Sequence, residues 1–185
     1  MVDFLCIRMK VAEVIGHAFS PGWLFRMMPK PGASFQFAFT AAAWNDPAKG
    51  GELARAQFDR GADVVFAVAG GSGLGALQMA KAKGKLAIGV DSNQNDVQPG
   101  FVLTSMVKQV GNAAYDAFTQ AKNGQFQAGM SYKGLKEGGV DWALDKNNRA
   151  IVPAAMEQRV TAARADIISG KIKVVDYRAA GSCPQ

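Results

Sequence analysis

Between Asp63 and Gln94 the apolar positions fall into two short continuous runs, Val64 to Val68 and Leu86 to Val90. A glycine cluster and a helically spaced stretch from Leu74 to Lys83 separate them, and Gly84 closes that stretch. Neither run alternates with polar residues, which is the pattern of parallel strands buried on both faces. The segment therefore predicts one βαβ unit. In open sheets of this kind ligands bind beyond the carboxyl ends of the strands. Gly70 to Gly73 and Asp91 to Asn95, which follow the two runs, are thus expected to line one crevice.

The flanking chain extends the same alternation. Upstream, Phe35 to Phe39 reads as a strand. Asp46 and Pro47 then suit the N-cap and first position of a helix running to Arg60 and stopping at Gly61. Gly50, Ala54 and Phe58 recur at helical spacing and predict a small-residue face that lies close to the sheet. Downstream, Phe101 to Ser105 reads as a strand and Val107 to Lys122 as a helix with Val110, Ala114, Ala117, Phe118 and Ala121 on one stripe. Phe126 to Ser131 reads as a strand with one exposed side, Leu135 to Val140 as a glycine-rich connector, and Trp142 to Asn148 as a turn region. Pro153 to Ser169 predicts a helix and Ile172 to Tyr177 a last short strand. Alternating strands and helices argue for an α/β layered fold. Met1 to Ser34 is different: Phe19, Trp23, Leu24, Phe25, Met27 and Met28 crowd among prolines and glycines with no period.

Composition narrows the function classes. The net charge is +6 and the isoelectric point about 9.4, but the basic residues are interspersed with acids. No basic run interleaved with aromatics points to nucleic acid. Cys6 and Cys183 stand at opposite ends and His17 is the single histidine, so no metal-ligand spacing exists. No segment is apolar enough to span a membrane. The opening MVDFLCIRMK reads as neither a secretion signal nor a lipobox, which leaves the cytoplasm as the expectation for the chain as written.

Gly71, Gly73 and Ala76 satisfy the G-x-G-x-x-(G/A) fingerprint, and Asp91 follows about twenty residues later at the next strand end. One reading is a dinucleotide site, in which glycines admit a pyrophosphate at the helix N-terminus and the acid accepts from ribose hydroxyls. The other is a tight turn that lets the helix pack. Asp91, beside Ser92, Asn93 and Gln94, suits vicinal sugar hydroxyls as a two-oxygen acceptor, or else serves as a helix cap. Phe66 reads either as core or as a wall on which a base stacks. Lys108 is expected in the first turn of a helix, a poor place electrostatically for a cation, which favours a role for it as a donor. No nucleophile, acid or base with catalytic spacing accompanies these residues.

WNDPAKGGELARAQFDRGADVVFAVAGGSGLG, then KLAIGVDSNQ, then VLTSMVK, then GLKEGGVDWAL, in this order, resemble the Basic Membrane Protein family, the PnrA-like substrate-binding lipoproteins of ABC transporters. The resemblance covers Ala42 to Tyr177. It implies a type I periplasmic-binding-protein fold, a doubly wound parallel sheet with mostly the second lobe present. It also implies a purine nucleoside as ligand, an ABC permease as partner, a periplasmic or cell-membrane-anchored location, no catalysis and no cofactor. Matched residue by residue, it makes Asp91 and Lys108 ribose contacts, Gly70 and Gly71 the close backbone approach, and Phe66 a stacking wall. The implied organisation is an unmatched segment 1–34, a second lobe 35–105, segments 106–177 returning to an incomplete first lobe, and a tail 178–185. Apolar faces after Ser105 would then lack partners. Two rivals accompany this reading: an NAD-dependent oxidoreductase using the glycine fingerprint and Asp91, and a truncated binding protein without a function.

Overall fold

The structure, a computed structural model, describes residues 44–174. The expected strand Phe35 to Phe39, the segment before it, both cysteines and the end of the expected last strand lie outside the described residues. Two units are distinguished, one reaching Ile151 and one beginning at Val152.

In the first unit the order is α1 (Pro47–Asp59), β1 (Val64–Phe66), α2 (Gly73–Ala82), β2 (Leu86–Asp91), β3 (Val102–Lys108), α3 (Val110–Lys122) and β4 (Val140–Trp142). The sheet order is β1-β2-β3-β4. β1, β2 and β3 are parallel, with Val64 opposite Leu86 and Ala87 opposite Val102. β4 closes the edge antiparallel to β3, with Met106 opposite Trp142 and Lys108 opposite Val140. The core gathers Ala54 and Phe58 of α1, Val65 of β1, Ala76, Leu77 and Ala80 of α2, Ala87 of β2 and Val102 of β3. The central α/β unit is therefore as the apolar runs predict.

Local chemistry sets the element ends. The Asp46 carboxylate accepts from the Lys49 N–H at 2.9 Å, satisfying one of the open donors of α1. α1 does not lay its small face mainly on the sheet, as the spacing suggests. It meets α2: a Cβ at Gly51 would lie 3.4 Å from Gly75 O, and one at Gly75 would overlap the Pro47 carbonyl. Side-chain-free positions on both helices let the two backbones touch.

Four expectations change downstream. β3 runs on to Lys108, and the following helix starts at Val110 rather than Val107, because β4 supplies an antiparallel partner for Met106 to Lys108. Strand β4 begins inside the expected connector and takes Trp142 from the expected turn. The strand expected over Phe126 to Ser131 does not form: Phe126 and Met130 are exposed and no ladder partner lies beside them among the described residues. Likewise Ile172 to Val174 are not in a strand. The helix α3 has no fully buried residue, and Val110, Tyr115 and Phe118 are exposed.

The second unit contains α4 (Ala154–Ile168). Pro153 precedes it in extended backbone, where its ring suits the helix start. Its last turn is followed by Gly170 at a φ of 79°, and Lys171 returns to pair with Asp166 at 3.0 Å.

Candidate functional site

Asp91 and Lys108 end the adjacent parallel strands β2 and β3, on the carboxyl side of the sheet. Lys108 Nζ lies 2.7 Å from Asp91 Oδ1, and both side chains remain about half exposed, at 55% and 52%. The sequence places Lys108 on a helix; the structure puts it at the end of β3, one residue ahead of the Gln109 N-cap of α3. An exposed ion pair of this kind contributes little to stability, roughly 0–1 kcal/mol. Both groups are therefore available to a ligand at small cost.

Asp91 is also the one non-glycine residue with positive φ among the described residues, at 69°. The Ser92 N–H donates back to Val90 O at 2.8 Å, closing a three-residue turn around it. Non-glycine residues in this region are uncommon, and they persist where the surroundings over-determine them.

Those surroundings are a polar network. The Val90 N–H donates to Gln94 Oε1 at 2.9 Å, and the Gln94 N–H donates to Ser105 Oγ at 3.0 Å. Ser105 Oγ donates to Asn95 Oδ1 at 2.9 Å. Asn93 and Asn95 each donate through Nδ2 to Asp145 Oδ2, at 2.7 and 3.0 Å. The Asn147 N–H donates to Asp145 Oδ1 at 2.6 Å, and the Asp145 N–H donates to Asn148 Oδ1 at 2.8 Å. Asn148 Nδ2 donates onward to Leu103 O and Ala143 O. Asn95, Ser105 and Asn148 are fully buried, and no buried side-chain nitrogen or oxygen among the described residues lacks a partner. Gly89 makes the close approach possible, since a Cβ there would lie 2.8 Å from both Gln94 Oε1 and Ser105 Oγ.

The Asn93 amide, followed by the Asn147 N–H, holds the Asp145 carboxyl below the ordinary carboxylate range. Its contribution to stability is therefore fully present above the unfolded-state value and fades only as pH falls through the lower folded-state value. On acid titration the Asn93 and Asn95 side-chain amide resonances are expected to hold until below the ordinary carboxylate range. Collapse at or above that range would contradict this.

The remaining predicted residues follow or end the neighbouring parallel strand β1, at the same end of the sheet. Phe66 ends β1 and is half buried, opposite Ile88. Gly70 and Gly71 form the turn before α2, and the atoms nearest a side chain there would be those of Trp44 and Asn45. Gly75, an unspecified position between the fingerprint residues Gly73 and Ala76, is occupied by helix packing against α1. Trp44 was not singled out by the residue patterns. It is 61% exposed and stands over Gly70, with its ring 3.5 Å from where a Cβ would sit. A large aromatic left in solvent just ahead of a helix cap was the available signal. The Asp145 network was missed because its members are about fifty residues apart in the chain. Among the described residues no cluster of histidine, cysteine and acids could hold a metal ion.

Residues 39–177 match the family described as ABC transporter substrate-binding protein PnrA-like. The chain belongs to this family. The PnrA-like chain is 37% identical over 153 residues to the ABC transporter nucleoside-binding protein BmpA of Lactococcus lactis, covering 72% of this chain and 42% of that protein. It is 31% identical over 141 residues to Basic membrane protein A2 of Borrelia garinii, covering 73% of this chain and 40% of the relative. Among solved structures, a solute-binding protein of an ABC transporter system from Aeropyrum pernix superposes with a TM-score of 0.57 at 28% identity, covering 72% of this chain and 45% of that one. One from Conexibacter woesei has a TM-score of 0.60 at 23% identity, over 80% and 48% of the two chains, and supports the fold. The chain thus spans less than half the length of these relatives. The type I binding-protein fold is shared with them, and the family is one of substrate binding rather than catalysis. No helix among the described residues is long and apolar enough to cross a membrane.

Proposed function

We propose that this PnrA-like chain contributes the ribose-binding half of a purine-nucleoside site, and that the protein it represents delivers the nucleoside to an ABC permease at the cell membrane. The observation that carries this is the Asp91–Lys108 pair, half exposed at adjacent strand ends. The Asp91 carboxylate accepts from two vicinal ribose hydroxyls, and the Lys108 ammonium donates to a hydroxyl oxygen. Gly70 and Gly71 allow the ligand near the backbone. Phe66 and the exposed Trp44 are the aromatic candidates for the base. A relative 37% identical to this chain is described as nucleoside-binding, which favours the same ligand class. Ligand occupancy reaches the permease through the different affinities of open and closed lobe arrangements.

Calorimetric titration of the chain with adenosine, guanosine, inosine and NAD tests the reading. Saturable heats for at least one nucleoside and none for NAD are expected. Binding of NAD without any nucleoside would replace the proposal with the dinucleotide reading, and silence from all four would leave this chain without a working half-site.

A further inference from the structure

We infer that Asp145 is a positioning residue for the ligand site: through Asn93 and Asn95 it locks the loop after β2 and so holds Asp91 in its left-handed conformation. The inference rests on the nucleoside reading for its binding consequence, but not for its structural one.

The argument begins with Asp91. A side chain bearing a Cβ at a φ of 69° is disfavoured locally, so something beyond the turn must hold it there. Among the described residues the Asp91 side chain pairs with the exposed Lys108 alone, which is too weak to fix a backbone. The residues on either side of the turn are held much more firmly. Val90 is tied to Gln94, Gln94 to Ser105, and Ser105 to Asn95. Asn95 is fully buried, and its Nδ2 donates to Asp145. Asn93, two residues beyond Asp91, donates to the same carboxylate oxygen. The Asn95 N–H also donates to Asn93 Oδ1 at 3.0 Å, so the two asparagines are fixed to each other as well as to Asp145.

Charge makes Asp145 the anchor. Its Oδ2 receives two amide donors and its Oδ1 a backbone N–H, and hydrogen bonds to a carboxylate are about twice as strong as neutral ones. A neutral amide in its place would present a donor to donors. Asp145 is in turn fixed by the buried Asn148, whose amide bonds to Leu103 O on β3 and Ala143 O just after β4. The anchor is thus referenced to β3, the strand that carries Lys108. Both halves of the ion pair are positioned from one frame. A cluster of partnered polar groups in a loop would make only stability; the unusual backbone of Asp91 at its end gives the cluster a target.

The test uses Asp145→Asn and Asn93→Ala in the full chain, with three readouts: the thermal melt, the backbone chemical shifts of Asp91 and Ser92, and nucleoside affinity by calorimetry. Asp145→Asn is expected to shift the Asp91 and Ser92 resonances toward ordinary backbone. It should also weaken nucleoside binding roughly tenfold or more, the effect of losing one charge-assisted hydrogen bond at the contact. Asn93→Ala, which leaves Asn95 in place, should do the same to a smaller degree. Unchanged Asp91 resonances in a folded Asp145→Asn protein would overturn the inference, even with a lowered melt, because the network would then serve the fold alone. Moved resonances in a chain whose parent binds no nucleoside would sustain the positioning role and remove the nucleoside reading. Moved resonances with undiminished affinity would overturn the link between Asp145 and the ligand.

Discussion

Asp91→Gly is expected to leave the melting temperature nearly unchanged while eliminating nucleoside binding. Three small terms set the stability change. Left-handed backbone costs a non-glycine residue about 1–2 kcal/mol, which the substitution relieves. Glycine's extra freedom in the unfolded chain costs about 0.5–1 kcal/mol. Loss of an ion pair this exposed costs roughly 0–1 kcal/mol. The sum lies within about 1.5 kcal/mol of zero. Binding has no such compensation, because two charge-assisted hydrogen bonds at about 1.5–3 kcal/mol each are lost together. That corresponds to at least a hundredfold weakening. Thermal melts and titrations on the same preparation check both halves. Retained affinity would take the carboxylate out of the site.

Gly75→Ala should be the most damaging single methyl in the described chain. Its Cβ would overlap the Pro47 carbonyl and lie 2.9 Å from Gly51 N, and both are backbone atoms that cannot swing aside. The helices α1 and α2 must then part, opening the contact among Ala54, Phe58, Ala76, Leu77 and Ala80. Overpacking of a close-packed core costs about 1–3 kcal/mol, and here the upper end applies because no rotamer change relieves it. For a chain of this size that lowers the melting temperature by on the order of 10 °C. Gly111→Ala is the control. It lies inside α3 with open space around it and should stabilise slightly, by about 0.5–1 kcal/mol. Equal melts for the two variants would show that the α1–α2 crossing is not tight at Gly75.

The two substitutions also mark what was legible in the sequence. The apolar runs at Val64 and Leu86, the glycine turn and the Asp46–Pro47 helix start are local signals, and each formed where its pattern placed it. Asp91 and Lys108 could be assigned to one crevice because both follow parallel strands. Their direct contact depended on β3 continuing to Lys108, which β4 causes. A strand of three residues such as β4 has no period to detect. The glycine fingerprint was ambiguous for a physical reason: close approach to a phosphate and close approach to a helix require the same absence of a side chain. At Gly71 the neighbours are Asn45 and the Trp44 carbonyl, and at Gly73 the Ala67 carbonyl. Asp145 and Asn148 stayed hidden because their partners include the loop after β2 and Leu103 on β3, far off in the chain, and no local spacing encodes such bonds.

One further consequence follows from the edge of the sheet. The chain leaves β3 at Gln109 and returns to β4 at Gly139, and there the Gln109 N–H donates to Gly139 O at 2.9 Å. Residues 110–138 thus depart and come back through one doorway, and α3 within them buries no side chain fully. Such an excursion behaves as a cassette. Its closure costs little more for a long insert than for a short one, since that cost grows only with the logarithm of length. Lengthening the excursion would therefore cost little in closure, and the sheet, the Asp145 anchor and the Asp91–Lys108 pair would keep their register.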